Sequence, residues 1–278
     1  MAASFQPRGL RFTFTMRTGS FNGPGNPDKV IYESFRSSVE IQAPGGWQFS
    51  TARASIKGLS QDVMNRLTII NFTSFELQRN EILIEATGPS GEYNTLFLGT
   101  IANAYANYDG APDVSFEVEA YQALQSSTDA NAPTVWPGPQ KVQAIAGELA
   151  KKIGFPVENN GVDSTVSDAY LTGSYINQLR ELCDMARCQY WIEPAEGIIA
   201  IAPDGQPRDQ ETVTISPDTG LIGWPTPNHL GVDFVCLYDP GIYRGRKINL
   251  VTSVTPCAGL HYVRGVNISL DSETPGGA

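Results

Sequence analysis

The chain of 278 residues carries 19 Lys plus Arg against 29 Asp plus Glu, a formal charge of −10, which leaves no basic footprint for nucleic acid. Its 41% hydrophobic content excludes a disordered chain, and the length holds two or three small domains. No run reaches the roughly 18 apolar residues of a membrane-spanning segment. The start, MAASFQPRGLRF, lacks the charged-then-apolar order of a secretory signal, so synthesis in a cytoplasm is expected.

In chain order, Leu10, Phe12, Phe14 and Met16 alternate with Arg11, Thr13, Thr15 and Arg17, the period of a strand with one buried face. Gly19–Asp28 is rich in Gly, Pro and Asn and predicts a long loop. Val39 and Ile41, then Ala52, Ala54 and Ile56, predict two strands around the turn Pro44-Gly45-Gly46. SQDVMNRL reads as a helical turn capped by Ser60, with a further strand from Leu67. Ile82, Ile84 and Ala86, the turn Gly88–Gly91, and Leu96 with Leu98 predict a hairpin. Val114, Phe116 and Val118 close the unit. Short strands between turn signals point to a barrel or sandwich.

Gln122–Gly138 reads as a polar connection in which Trp136 is a packing anchor. In Gln140–Ile153, Val142, Ile145, Ala146, Leu149, Ala150 and Ile153 recur at three and four residues, one stripe of a helix, with Pro139 before it and Gly154 to end it. After a loop, Ile176, Leu179, Leu182, Cys183 and Ala186 repeat the pattern. Gln189–Glu193 and Gly197–Ala202 then predict a hairpin about Pro194, Ala195 and Glu196. Each buried large side chain gains about 1.5–3 kcal/mol, against roughly 1–2 kcal/mol for ordering each residue. The helices must therefore pack on each other and on the hairpin.

Strand character returns at Val213 and Ile215, while Pro217–Asn228 is full of turn formers. Gly231–Leu237, Lys247–Ser253, His261–Val263 and Val266–Leu270 predict the last strands, and Asp271–Ala278 a frayed tail. The expected fold class is α+β, mainly β: two tube-like β-barrel domains, residues 1–125 and 206–278, flank a small α/β module of two helices and a hairpin, residues 126–205.

Material for catalysis is thin. His229 and His261 are the only histidines, too few for a histidine-based metal site or a Ser-His-Asp triad. Glu193 and Glu196 flank a turn, where carboxylates are solvated. Gly23-Pro24-Gly25 precedes no Lys-Ser or Lys-Thr, so it is not a phosphate loop. Tyr190 and Trp191, with Trp224, suggest sugar stacking, but successive strand residues face opposite ways. Cys183, Cys188, Cys236 and Cys257 form no C-x-x-C and read as small core residues. No catalytic, cofactor-binding or metal-ligating residues are assigned, and no cofactor.

NEILIEATGPSGEYNTLFLGTIANAYANYDGAPDVSFEVEAYQAL resembles the first-domain pattern of phage baseplate hub proteins, the trimeric hub family related to tail tube proteins. The likeness lies in Ile82, Ile84, Ala86 and Gly88, then Leu96, Phe97, Gly99 and Ile101; Gly58, Leu59, Asn65 and Leu67 resemble the preceding segment. SYINQLRELCDMARCQYWIEPAEGIIAIAPDG is similar to the family's central module. FVCLYDPGIYRGRKINLVTS and GLHYVRGVNISLDSETPGG resemble its closing strands, with Asp239, Pro240, Gly245 and Ser253 at the recurring positions. The chain departs from the family in stopping soon after Gly277, where related chains continue into a strand carrying Trp. The second barrel then closes either within one chain or with another's strand.

The resemblance implies a non-enzymatic structural protein of the virion, at the tail tip or baseplate, assembled in the host cytoplasm. It implies a homotrimer joining the tail tube or a distal tail protein to a central spike or fibre, with the tape measure protein a further partner. DNA would pass through its lumen without specific binding, along an acidic wall. The central module would brace two tube-forming β units. The alternative is a cell-wall glycan-binding module or associated peptidoglycan hydrolase, which needs Trp136, Tyr190, Trp191 and Trp224 exposed on one groove.

Overall fold

The computed structural model describes residues 9–17, 21, 28–45, 48–69, 80–129, 131–193 and 197–273. The first region contains β1 (Leu10–Thr15), β2 (Lys29–Glu33), β3 (Ser37–Ala43), β4 (Thr51–Lys57), helix α1 (Gln61–Leu67), β5 (Glu81–Thr87), β6 (Tyr93–Asn107) and β7 (Ser115–Tyr121). A short helix α2 (Leu124–Thr128) leads into β8 (Thr134–Lys141), α3 (Val142–Ile153), β9 (Val157–Asn159), β10 (Thr165–Leu171), α4 (Tyr175–Ala186), β11 (Cys188–Glu193) and β12 (Ile198–Pro203). The last region holds β13 (Val213–Ile215), β14 (Leu221–Asn228), β15 (Gly231–Cys236), β16 (Lys247–Leu250), β17 (Gly259–Tyr262) and β18 (Val266–Ser272).

Eight strands form one antiparallel sheet in the order β18-β3-β4-β7-β6-β5-β1-β2. Its alternating inward residues, among them Leu10, Phe12, Ile41, Ile56, Ile84 and Phe116, make one core. A flat sheet could not gather them. Phe14 on β1 and Phe116 on β7 lie three strand spacings apart, about 14 Å in a flat sheet, yet their ring centroids are 6.4 Å apart. The sheet curls over its own side chains. Two bulges on the long strand β6, at Leu96 and Ala102, break its register with β5 and β7 and supply the bend. The first bulge also shifts the buried face, so Phe97 is buried in the core while Leu96 packs against it only partly buried and Leu98 stays half-exposed.

Mainly β with helices at the centre is thus as the sequence predicts, but the sheets do not close into barrels: β2 and β18 remain unpaired edges among the described residues. Ser60 caps α1 as expected, its hydroxyl accepting from the Val63 amide. The strand expected after Leu67, the turn residue Gly46 and most of the loop Gly19–Asp28 lie outside the described residues. So do Pro194, Ala195 and Glu196, and the end of the tail.

In the central module α3 and α4 pack their apolar stripes together, over Ile192, Ile199 and Ile201 of the hairpin β11–β12. Gly154 ends α3 in the left-handed conformation, φ 103°, as predicted. The helix starts at Val142 and not at Gln140, because Gln140 and Lys141 still pair with Val166 and Thr165 in a ribbon of β8 and β10. Both strands of that ribbon fall in segments that read as loop, since prolines and an Asp168 bulge mask their alternation. Trp136 packs on the module's core, as expected.

Two departures concern the end of the chain. Pro217–Asn228, read as turn, contains β14, an edge strand whose prolines need not donate to a ladder. The strand Val266–Ser272, expected beside the other closing strands, instead pairs with β3 over its whole length and extends the first sheet. Asp271 and Ser272 are therefore ordered by Ser38 and Ser37, and the tail begins later than predicted. Between these, β13, β16 and β17 form one small sheet and β14–β15 another.

Candidate assembly surfaces

The first surface is the outer face of the eight-stranded sheet. Period-two alternation that buries Phe12 and Ile84 turns Arg11 and Glu85 outward. Arg11 meets Glu85 through two hydrogen bonds, Nε to Oε2 and Nη2 to Oε1, each 2.6 Å, and reaches Glu33 at 3.4 Å. Its guanidinium stacks 4.1 Å from the Tyr93 ring. The bonds that it donates to Glu85 hold the Arg11 pKa above its ordinary value. Arg17 pairs with Glu81, and Arg53 with Glu119 at 3.3 Å. The hydroxyls of Ser55 and Ser115 both donate to Glu117, at 2.8 and 2.7 Å. Each of these arginines is already neutralised by a cross-strand carboxylate, and carboxylates outnumber them.

The second feature is a junction. β11 has β12 on one side, so on its other edge the Ile192 carbonyl points away from the hairpin and needs a donor. It accepts from Gln122 Nε2 at 2.8 Å, just after β7, and from Arg244 Nη2 at 3.0 Å, in the loop before β16. Arg244 also donates to the Pro44 carbonyl at 3.5 Å and lies 3.9 Å from Glu193 Oε1. Burial pushes the Arg244 guanidinium down from its ordinary value, against the charge of Glu193.

Nearby, Arg208 is fully buried. Its Nε and Nη2 grip the Glu158 carboxylate at 2.9 and 2.7 Å, and the Tyr243 ring covers it at 5.1 Å. Gly245 makes room: at φ 80°, a side chain there would come within 2.9 Å of Arg208 Cγ. Bonding to Arg208, then to Asn160, holds the Glu158 carboxyl below its ordinary 4.5. These joints tie the central module to the β regions on either side.

The third surface is apolar. Ile222, Trp224 and Val235 on β14–β15, with Leu230 at its tip, stand in solvent, Trp224 at 76% exposure.

The residues weighed for chemistry do not converge. Tyr190 is buried against the helices, whereas Trp191 packs with Ala200 and Ala202 on the opposite face. With Tyr190 and Trp191 buried, Trp136 half-buried and Trp224 on a separate hairpin, these four aromatics are not exposed together on one groove. Glu193 faces Arg244, and its supposed partner Glu196 lies outside the described residues. His229 sits on the β14–β15 turn, while His261 on β17 bonds the Cys257 carbonyl at 2.9 Å. All four cysteines are free thiols. Among the described residues no helix is long and apolar enough to cross a membrane. Sequence reading missed Gln122, Arg208 and Arg244, which sit in polar, turn-rich segments without any periodic signal.

The family described as Baseplate hub gp41 matches residues 10–269. The chain belongs to this baseplate hub family. Baseplate hubs are phage tail proteins, so this one is a structural protein of the virion tail. The fold agrees. The 43 kDa tail protein of prophage MuSo2 from Shewanella oneidensis superposes with a TM-score of 0.58 at 8% identity, over 94% of this chain and 93% of that one. A tail protein from Neisseria meningitidis MC58 gives 0.58 at 9% identity, over 94% and 92%. The E. coli c3393 protein gives 0.55 at 10%, over 94% and 74%; it is a type VI secretion component with structural similarity to T4 tail proteins gp27 and gp5. Among curated protein sequences none matches this chain significantly.

Proposed function

We propose that this baseplate hub works as a homotrimer at the distal end of the tail. It joins the tail tube or a distal tail protein to a central spike or fibre, contacts the tape measure protein, and forms part of the DNA conduit without catalysing a reaction. The family match over residues 10–269 carries this reading. Each subunit contributes a tube-like unit built on the eight-stranded sheet and a smaller one built on β13 to β17, with the central module as brace. Three copies then present six β units to a tail tube and a threefold end to a spike, since interfaces whose rotation closes make rings.

The charge-paired sheet face supports the conduit. DNA affinity comes from Lys and Arg that replace counterions on phosphates. On this face Arg11, Arg17 and Arg53 already hold carboxylates, so phosphates would have to displace them. Solution mass tests the assembly: the 30.1 kDa chain is expected as a ring of about three copies. A low-resolution image of the particle is expected to show threefold density at the tail tip. A stable monomer, absent from that ring, overturns the reading.

A further inference from the structure

We propose that the outer edge of β15 receives strand β2 of a second copy of this chain. The inference names the contact that closes the ring and rests on the hub reading for the number of copies alone. The last region buries few large apolar residues, chiefly Ile215, Leu221, Ile248 and Leu250. It leaves Trp224, Leu230, Val235 and Leu260 at 60% exposure or more. An isolated two-stranded sheet is marginal in water, so β14–β15 gains from a third strand.

The two edges of the hairpin differ. The loop of His229 and Leu230 makes Asn228 and Gly231 the closing hydrogen-bonded pair, so Thr226 and Asp233 bond in the same way. Pro227, opposite Val232, then has its nitrogen on the far side of β14, without a proton, and Pro225 is buried there beside Cys257. That edge is blunted. On β15 the matching outward groups belong to Val232 and Phe234, whose side chains turn toward the region's own core while Asp233 and Val235 face solvent. The strand contains neither proline nor lysine, the residues that discourage pairing. Among the described residues it remains an open edge.

The same chain carries a match. β2 ends the eight-stranded sheet, with no strand on its outer side among the described residues. Its solvent-side residues are Lys29, Ile31 and Glu33, and Ile31 is 59% exposed on an otherwise polar face. A parallel register that sets Lys29 opposite Asp233 also sets Ile31 opposite Val235. Opposite charges and paired apolar side chains each favour a strand pair, and Glu33 keeps Arg11. Within one chain β2 and β15 belong to different sheets, so a second copy supplies the match. Such a contact is heterologous and closes only as a ring.

Both positions are exposed, so cysteine variants should fold. Full-length Ile31→Cys and Val235→Cys chains are mixed under mild oxidation. A disulfide-linked dimer is expected in the mixture and not in either variant alone. Lys29→Glu and Asp233→Lys introduced singly are expected to lower the yield about two- to fivefold, and the double reversal to restore it. Val235→Cys chains linking to each other, or a ring in particle images with no cross-link in the mixture, would overturn this contact. The second of those outcomes leaves the hub reading standing. Cross-linking by a chain absent from the tail tip would uphold the contact and refute the hub reading.

Discussion

Gln122 and Arg244, which are far apart in the chain, donate to the same oxygen, the Ile192 carbonyl, at 2.8 and 3.0 Å. One carbonyl of the central module thus binds the regions before and after it. Removing Gln122 leaves that oxygen with a donor, so Gln122→Met is expected to cost about 1 kcal/mol. Arg244→Met also strips a counter-charge from Glu193, 8% exposed, and is expected to cost about 3 kcal/mol. In the double variant the carbonyl is orphaned, so the loss should exceed the sum. Denaturant midpoints of the three variants measure this; simple additivity would show that the shared acceptor is not what couples them.

The Arg208–Glu158 pair sets an acid limit. Glu158 titrates below its ordinary 4.5 when folded, chiefly through its bonds from Arg208. The folded state therefore binds fewer protons there, and the pair's contribution is complete above the unfolded value and lost as pH falls through the lowered folded value. Melting temperature should fall below about pH 4.5 more steeply in the native chain than in Glu158→Gln. Equal slopes would remove Glu158 as a cause.

Glu158→Gln should also be costly at neutral pH, by about 3 kcal/mol, because it takes the carboxylate that Arg208 grips with two nitrogens away from a fully buried guanidinium. Replacing both residues, Arg208→Met with Glu158→Leu, should cost less than the single change. Calorimetry of the two variants decides the order.

Gly99 and Gly147 should respond to alanine in opposite directions. A Cβ at Gly99 would stand 2.6 Å from the Phe97 ring and 2.8 Å from the Tyr121 carbonyl, between the two bulges of β6. Gly99→Ala is expected to cost about 1–3 kcal/mol or more. Gly147, inside α3, has nothing within 4 Å of such an atom. Gly147→Ala should stabilise by about 1 kcal/mol. Thermal unfolding of both variants is the check.

The outer sheet face should ignore DNA until its charges are reversed. Glu117→Lys with Glu119→Lys releases Arg53 from its carboxylate and adds two cations to the face. That variant is expected to bind duplex DNA with a marked salt dependence, while the native chain does not at physiological salt. Tight, salt-sensitive binding by the native chain would contradict a non-adhesive wall.

Much of this protein is legible locally. Period-two alternation in Leu10–Met16 and Ile82–Ala86 marks strands and their buried faces, and the stripe from Val142 to Ile153 marks a helix that Gly154 ends. These signals are carried by neighbours within a few residues, so a single sequence contains them. The pattern through Ile82, Gly88, Phe97 and Gly99 is local in the same sense, which is why the hub resemblance can be read from it.

Other features depend on residues that meet only in the folded chain. β8 and β14 are strands because a partner pairs with them, in spite of their prolines. β18 joins β3, more than two hundred residues upstream, by backbone bonds that have no side-chain signature. The curl that brings Phe14 to Phe116 follows from where the bulges fall along β6. Arg208 and Arg244 look like surface residues in turn-rich segments until tertiary packing removes their water and supplies Glu158, Glu193 and the Ile192 carbonyl. Periodicity therefore determined the elements and their inward faces. Tertiary structure decided sheet order, curvature and the buried charges, because long-range backbone pairing and desolvation depend on which distant segments come together.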